Sequence, residues 1–222
     1  MANPQKLTAN RSIDTHSAAA TQTARRTQAQ RRDLSEQRLL FAAAQLIEAE
    51  GFAAVTFDRV GVAAGYSRGL ASQRFGSKDG LVRAVIAFVS ARVRAKVETL
   101  TAGIAAPHER LLAWVDVMLS QIEHDAIFRA YFVMMAAAIG NRDPIRDAFL
   151  SAHEQVRTEL RAMIEAGQQA GQISADLDAD TLALSIGSLH LGIAVELLLD
   201  PALNMPAMRA TVRESMVRML GA

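Results

Sequence analysis

The chain of 222 residues contains no cysteine, one tryptophan, two tyrosines and five prolines. The missing cysteine excludes disulfides, thiol catalysis and cysteine-ligated metal, and a reducing cytoplasm is the compartment expected. No apolar core of a secretory signal stands near the start. There is no phosphate-binding glycine loop and no serine-nucleophile elbow, and the five histidines are scattered. An enzyme is therefore the weakest class of function, with no cofactor and no metal implied. No convincing strand pattern is found, and Pro107, Pro201 and Pro206 fall at breaks between helical stretches.

Half of the residues are hydrophobic, enough for a sizeable core. The net charge of +1 hides an asymmetry: residues 1 to 83 carry 12 Lys/Arg against 7 Asp/Glu, and the remainder 12 against 16. A basic first part raises local affinity for phosphate, and an acidic second part is repelled from it. Residues 1–33 are rich in Ala, Thr, Gln and Arg without apolar periodicity, and read as a flexible basic arm. Their composition also has something of a transit peptide. Arg25, Arg26, Arg31 and Arg32 could follow a nucleic-acid backbone or enter a minor groove; a solubilising tail is the plain alternative.

From Asp33, Leu39, Leu40, Ala43, Leu46 and Ile47 recur at helical spacing, with Asp33 and Glu36 placed to cap the start and Gly51 the end. Thr56 opens a second short helix with Phe57 and Val60 inward. Gly65 then turns the chain, as a residue without Cβ can do without strain. Ser67 caps a third helix of about two turns, docked by Leu70 and Phe75. Between them lie Arg68, Gly69, Ser72, Gln73 and Arg74, a polar set suited to base edges and phosphates in a major groove. Lys78 opens a long fourth helix where backbone N–H groups and an ammonium could share one phosphate. Without the flanking Gly65, Phe75 and Lys78, the same polar stretch would read as an ordinary solvated face.

Further helices are expected near residues 107–123, 126–139, 143–170, 178–199 and 206–220, giving an all-α chain of about nine helices. Three parts follow: the arm 1–33, a helix-turn-helix domain 34–83 with its motif at about 56–76, and a helical domain 84–222. In the last, Trp114, Met118, Phe128, Phe132, Met134, Met135 and His190 are the candidates for an apolar ligand pocket, although residues of each kind are more often ordinary core. The nearly all-apolar segment Leu182 to Leu199 argues burial on more than one side, and its polar interruptions argue against a membrane span. Ala183, Gly187 and Leu191, with Met208, Val212 and Met216, are expected to form a dimer face of two helices per subunit.

The residues Gly51-Phe52, Thr56, Ala64-Gly65, Ser67-Arg68-Gly69, Phe75 and Ser77-Lys78-Asp79-Gly80-Leu81 resemble the signature of the tetracycline-repressor (TetR) family of bacterial transcriptional regulators. The specific resemblance covers residues 34 to 88. It implies a homodimer binding a double-stranded DNA operator and carrying a pocket for a small-molecule effector. One departure is Ser72, where many members place a tyrosine that touches a phosphate. The expected function is a sequence-specific repressor released from a near-palindromic operator by an apolar effector. The alternative is an effector-independent DNA organiser or protein-interaction adaptor, favoured if the helical domain holds no cavity of roughly 300 Å³.

Overall fold

A computed structural model describes residues 27–221. Among them there are nine α-helices and no strand. The first, α1 (Gln28–Glu50), starts earlier than periodicity suggested. Thr27 and Gln30 form a reciprocal capping box, the side chain of each meeting the backbone N–H of the other. The first turns are solvent-exposed, so no apolar pattern advertises them. Asp33 is thus a helix-interior residue rather than a cap, and Arg31 and Arg32 stand on a helix rather than on a flexible arm.

The next helices are short: α2 (Phe57–Ala63) and α3 (Arg68–Phe75), preceded by a single 3₁₀ turn at Phe52–Ala54. They lead into α4 (Lys78–Thr101), a 24-residue helix belonging to both halves of the molecule. Its first part buries Leu81, Val82 and Val85, and its last part buries Val93 and Val97. The second half comprises α5 (Pro107–His124), α6 (Ala126–Gly140), α7 (Arg146–Gln169), α8 (Ala179–Leu199) and α9 (Met205–Leu220). At its centre α5 packs against α4, α6, α7, α8 and α9, with Leu111, Leu119 and Ile122 wholly buried. Such all-round burial of aliphatic side chains is the main stabilising term of the helical domain.

The two halves join through α1. It lies along α6 as well as against α2 and α4. Arg129, near the start of α6, donates from Nε and Nη2 to Glu48 Oε1 of α1 at 3.1 and 3.0 Å. Its Nη1 donates to the carbonyls of Glu123 (2.9 Å) and Ile122 (3.4 Å), which the end of α5 leaves open. One guanidinium therefore ties α5, α6 and α1 together.

Candidate nucleic-acid interface and ligand cavity

Three hydroxyl caps set the starts of α2, α3 and α4. Thr56 Oγ1 accepts from the Arg59 N–H, Ser67 Oγ from the Leu70 N–H (both 3.3 Å) and Ser77 Oγ from the Gly80 N–H (3.0 Å). Between α2 and α3, Gly65 takes φ +74°, and the next N–H, of Tyr66, reaches back to the Gly61 carbonyl at 2.7 Å. Gly61 has a different reason to be glycine. A Cβ there would lie 3.0 Å from the Ser67 carbonyl carbon and 3.1 Å from the Arg68 nitrogen, so its absence lets α3 cross close over α2.

On α3, Ala71 is buried and Leu70 and Phe75 pack against the core, leaving Arg68, Gly69 and Gln73 exposed. The Arg68 side chain is 70% exposed and only loosely paired, 3.4 Å from Asp58. Ser72 is half-buried. Arg74 departs from the expectation of an outward contact: one helical turn beyond Leu70, its side chain turns inward and is 11% exposed. Its guanidinium lies 3.4 Å from both Glu36 and Ser35 of α1, so it braces the reader against the first helix instead of facing solvent. Lys78 is exposed at the first position of α4, its ammonium 4.9 Å from the centre of the Phe52 ring. Arg31 and Arg32 occupy the exposed start of α1, and Arg25 and Arg26 lie outside the described residues.

The helical domain contains a cavity of about 320 Å³ bounded by α4, α5, α6, α7 and α8. Of the expected residues, Trp114, Met118, Phe128, Phe132 and His190 line it. Met134 and Met135 do not; they are buried further along α6, which is packed by α1, α4, α5, α7 and α8. Sequence reasoning missed Tyr131 and His153, whose rings stack with centroids 5.9 Å apart, and the α7 residues Val156 and Leu160. The three-to-four-residue spacing of His153, Val156 and Leu160 was a usable signal.

His190 is 3% exposed and stands edge-on to Trp114 with ring centroids 5.2 Å apart. Its Nδ1 is 2.7 Å from the Ile186 carbonyl and its Nε2 3.3 Å from that of Val115. Burial lowers its pKa from the ordinary value, outweighing the two carbonyls, and burial likewise lowers that of His153. Burial pushes the Tyr131 hydroxyl upward, so the phenol stays protonated. At the cavity mouth Arg94 pairs with Glu159 (2.9 Å), and Arg157 with Asp180 (3.2 Å) and Glu154 (3.5 Å).

The residues expected to form a dimer face are mostly turned inward in the protomer. Ala183, Gly187 and Leu191 line the cavity, Val212 and Met216 are buried within the protomer, and Met208 is half-buried against the core. The most apolar stripe of each helix is drawn to its own core first. What remains exposed is a second face: Leu184 and Ser188, which also border the cavity, with Gly192, Val195 and Leu199 on α8, and Ala210 and Val217 on α9. Leu184 and Leu199 are 54% and 75% exposed.

Two family models match the chain. One, described as bacterial regulatory proteins of the tetR family, covers residues 39–85; the other, described as BetI-type transcriptional repressor, C-terminal, covers residues 107–221. No curated protein matches. Among solved structures, a TetR-family transcriptional regulator from Rhodococcus sp. superposes with a TM-score of 0.76 at 20% identity, over 85% of this chain and 99% of that one. A TetR transcriptional regulator from Chloroflexus aurantiacus gives 0.74 at 21%, over 85% and 96%. The fatty acid degradation regulator FadR from Bacillus halodurans gives 0.73 at 15%, over 82% and 94%. At these identities the likeness is one of fold.

Proposed function

The chain belongs to the TetR family of bacterial transcriptional regulators, and from that premise we propose that it is a homodimeric repressor released from a near-palindromic operator by a small apolar effector. The observation that carries the reading is the sharing of α4. Lys78 begins it beside the reader, and Val93 and Val97, roughly 22 Å or more further along at helical rise, line the cavity. A ligand in the cavity therefore touches the same rigid element that positions α3.

Arg68, Gly69, Gln73 and Ser72 of α3 face the major groove, with Thr56, Ser67 and Lys78 at helix starts on phosphates. Arg74 holds α3 in place from behind. Four ion pairs tie α4 to the helices around the cavity: Arg92 to Asp125 of the α6 cap at 3.2 Å, Arg83 to Asp147 of α7 at 2.8 Å, Arg94 to Glu159 of α7 at 2.9 Å, and Glu98 to Arg110 of α5 at 3.2 Å. An effector that prefers one arrangement of these helices changes the spacing of the two reader helices of the dimer, and by reciprocity DNA weakens effector binding.

The dimer forms on the outward faces of α8 and α9. By length and a mean hydropathy of 1.9, α8 could cross a membrane. Its inward side is instead committed to the core and cavity, and a second copy covers the other, which supports a cytoplasmic protein. The cavity also speaks against an effector-independent organiser, whose interior would be solid.

The test is selection of genomic fragments by the full chain, followed by a screen for small molecules that release them. Unchanged reader-helix separation at saturating effector, measured between spin labels, would refute the transmission mechanism.

A further inference from the structure

We propose that the effector is a compact, uncharged aromatic molecule bearing a hydrogen-bond-accepting oxygen, which meets the Trp114 indole N–H and the Tyr131 hydroxyl. The inference rests on the effector reading above and adds the chemistry of the ligand.

Size comes first. A cavity of about 320 Å³ stands at the lower end of the range of ligand sites, which suits a fused two-ring body rather than a long acyl chain. Shape follows from the walls. Phe128 and Phe132 meet at 63° with centroids 5.0 Å apart, and Tyr131 and Phe132 at 80° and 5.5 Å, so the lining offers both ring edges and ring faces to a flat guest.

Charge is decided by what the interior holds. The charged lining groups, Arg94, Glu154, Arg157 and Glu159, all stand at the mouth, 35–53% exposed and paired in opposite signs. Inside, His190 has its cationic form disfavoured by burial and is already engaged by two carbonyls; His153 is exposed, with its cationic form disfavoured by partial desolvation. A carboxylate or ammonium carried inward would lose its water and meet no opposite charge. Two donors remain. Trp114 and Tyr131 are 4% and 6% exposed, both line the cavity, and neither the indole N–H nor the phenol has a hydrogen-bond partner among the described residues. Unpaired donors on buried side chains are matched by water or by an acceptor on a ligand.

Trp114 is the sole tryptophan, so its fluorescence reports occupancy directly. Four probes of similar shape are titrated against the full chain: acetonaphthone, naphthoate, naphthyltrimethylammonium and naphthalene. The ketone is expected to quench Trp114 and to bind at least about tenfold tighter than either ion. By calorimetry, Tyr131→Phe should weaken the ketone about two- to tenfold and leave naphthalene unchanged, whereas Trp114→Phe, which also removes ring area from the wall, should weaken the ketone more than naphthalene. An ion binding as tightly as the ketone, equal losses for ketone and naphthalene in both variants, or no binding by any probe would overturn the proposal. Selective ketone binding that leaves operator affinity unaltered would uphold the ligand class while refuting the effector reading itself.

Discussion

Breaking the Arg129–Glu48 contact should loosen the reader from the helical domain by a measurable amount. Both donors of Arg129 that reach Glu48 share one carboxylate oxygen, and the two side chains are 23% and 27% exposed. A fully buried charge-assisted hydrogen bond contributes about 1.5–3 kcal/mol. With a shared acceptor and partial solvent screening, the pair's coupling is placed at about 1–2 kcal/mol. Arg129→Met should cost more than that, about 2–3 kcal/mol, because the Ile122 and Glu123 carbonyls lose their donor as well. Glu48→Gln keeps an acceptor and should cost about 1 kcal/mol or less. A double-mutant cycle with Glu48→Met and Arg129→Met, followed by urea denaturation, isolates the coupling. The functional readout is the ratio of operator affinities with and without effector, which should shrink in both single variants. Additivity of the two mutations within about 0.3 kcal/mol would refute the energetic role, and an unchanged affinity ratio would refute the transmitting one.

Arg68→Ala should abolish operator binding at unchanged stability, whereas Arg74→Ala should lower stability by about 1 kcal/mol and lose binding as a consequence of a loosened α3; equal stability of the two variants would contradict the inward placement of Arg74. Gly61→Ala forces a Cβ onto the Ser67–Arg68 backbone and should destabilise by about 1–3 kcal/mol, read as a fall in Tm. For His190 the folded pKa lies below the ordinary 6.5, so the unfolded chain takes up the proton first as pH falls. Stability should accordingly decline below about pH 6.5, and His190→Gln should flatten that decline, leaving the share of His153. Gly192→Arg, at an exposed α8 position with open space around it, should give monomers in sedimentation without loss of helix content.

The reader was legible because its signals are local. A hydroxyl three residues ahead of the N–H it accepts, a glycine at positive φ and an anchoring aromatic all act within one or two turns. The start of α1 was not legible for the opposite reason: a polar helix held by a capping box has no apolar period to read. Arg74 looked like a DNA contact because residue type does not say which side of a short helix a guanidinium takes; its position one turn past Leu70 does. The cavity could be searched for only through apolar residues. A void is a property of five helices together, and His153 or Tyr131 joins it through packing between residues distant in sequence. The same holds for the outer face of α8, which exists only as the remainder once the core has taken the best stripe.

That remainder explains why α8 is apolar nearly all round in a chain with a soluble fold. Leu182, Ile186, Ile193 and Leu197 are held by the core, Ala183, Gly187 and Leu191 form a wall of the cavity, Leu184 lines the cavity while staying half exposed, and Val195 and Leu199 stay outside. Cavity and outer surface thus meet on one helix: Leu184 and Ser188 both line the cavity and are exposed, next in sequence to Ala183 and Gly187 of its wall. In the proposed dimer a ligand that displaces α8 must displace the subunit contact too, since packed helices move between discrete ridge-and-groove arrangements rather than deforming continuously. The effector would then act on reader spacing from two directions: through α4 and α6 within a protomer, and through α8 between protomers. A substitution that disrupts only the Arg129–Glu48 clamp should accordingly weaken effector response without eliminating it, whereas a monomeric variant should retain ligand binding and lose the response altogether.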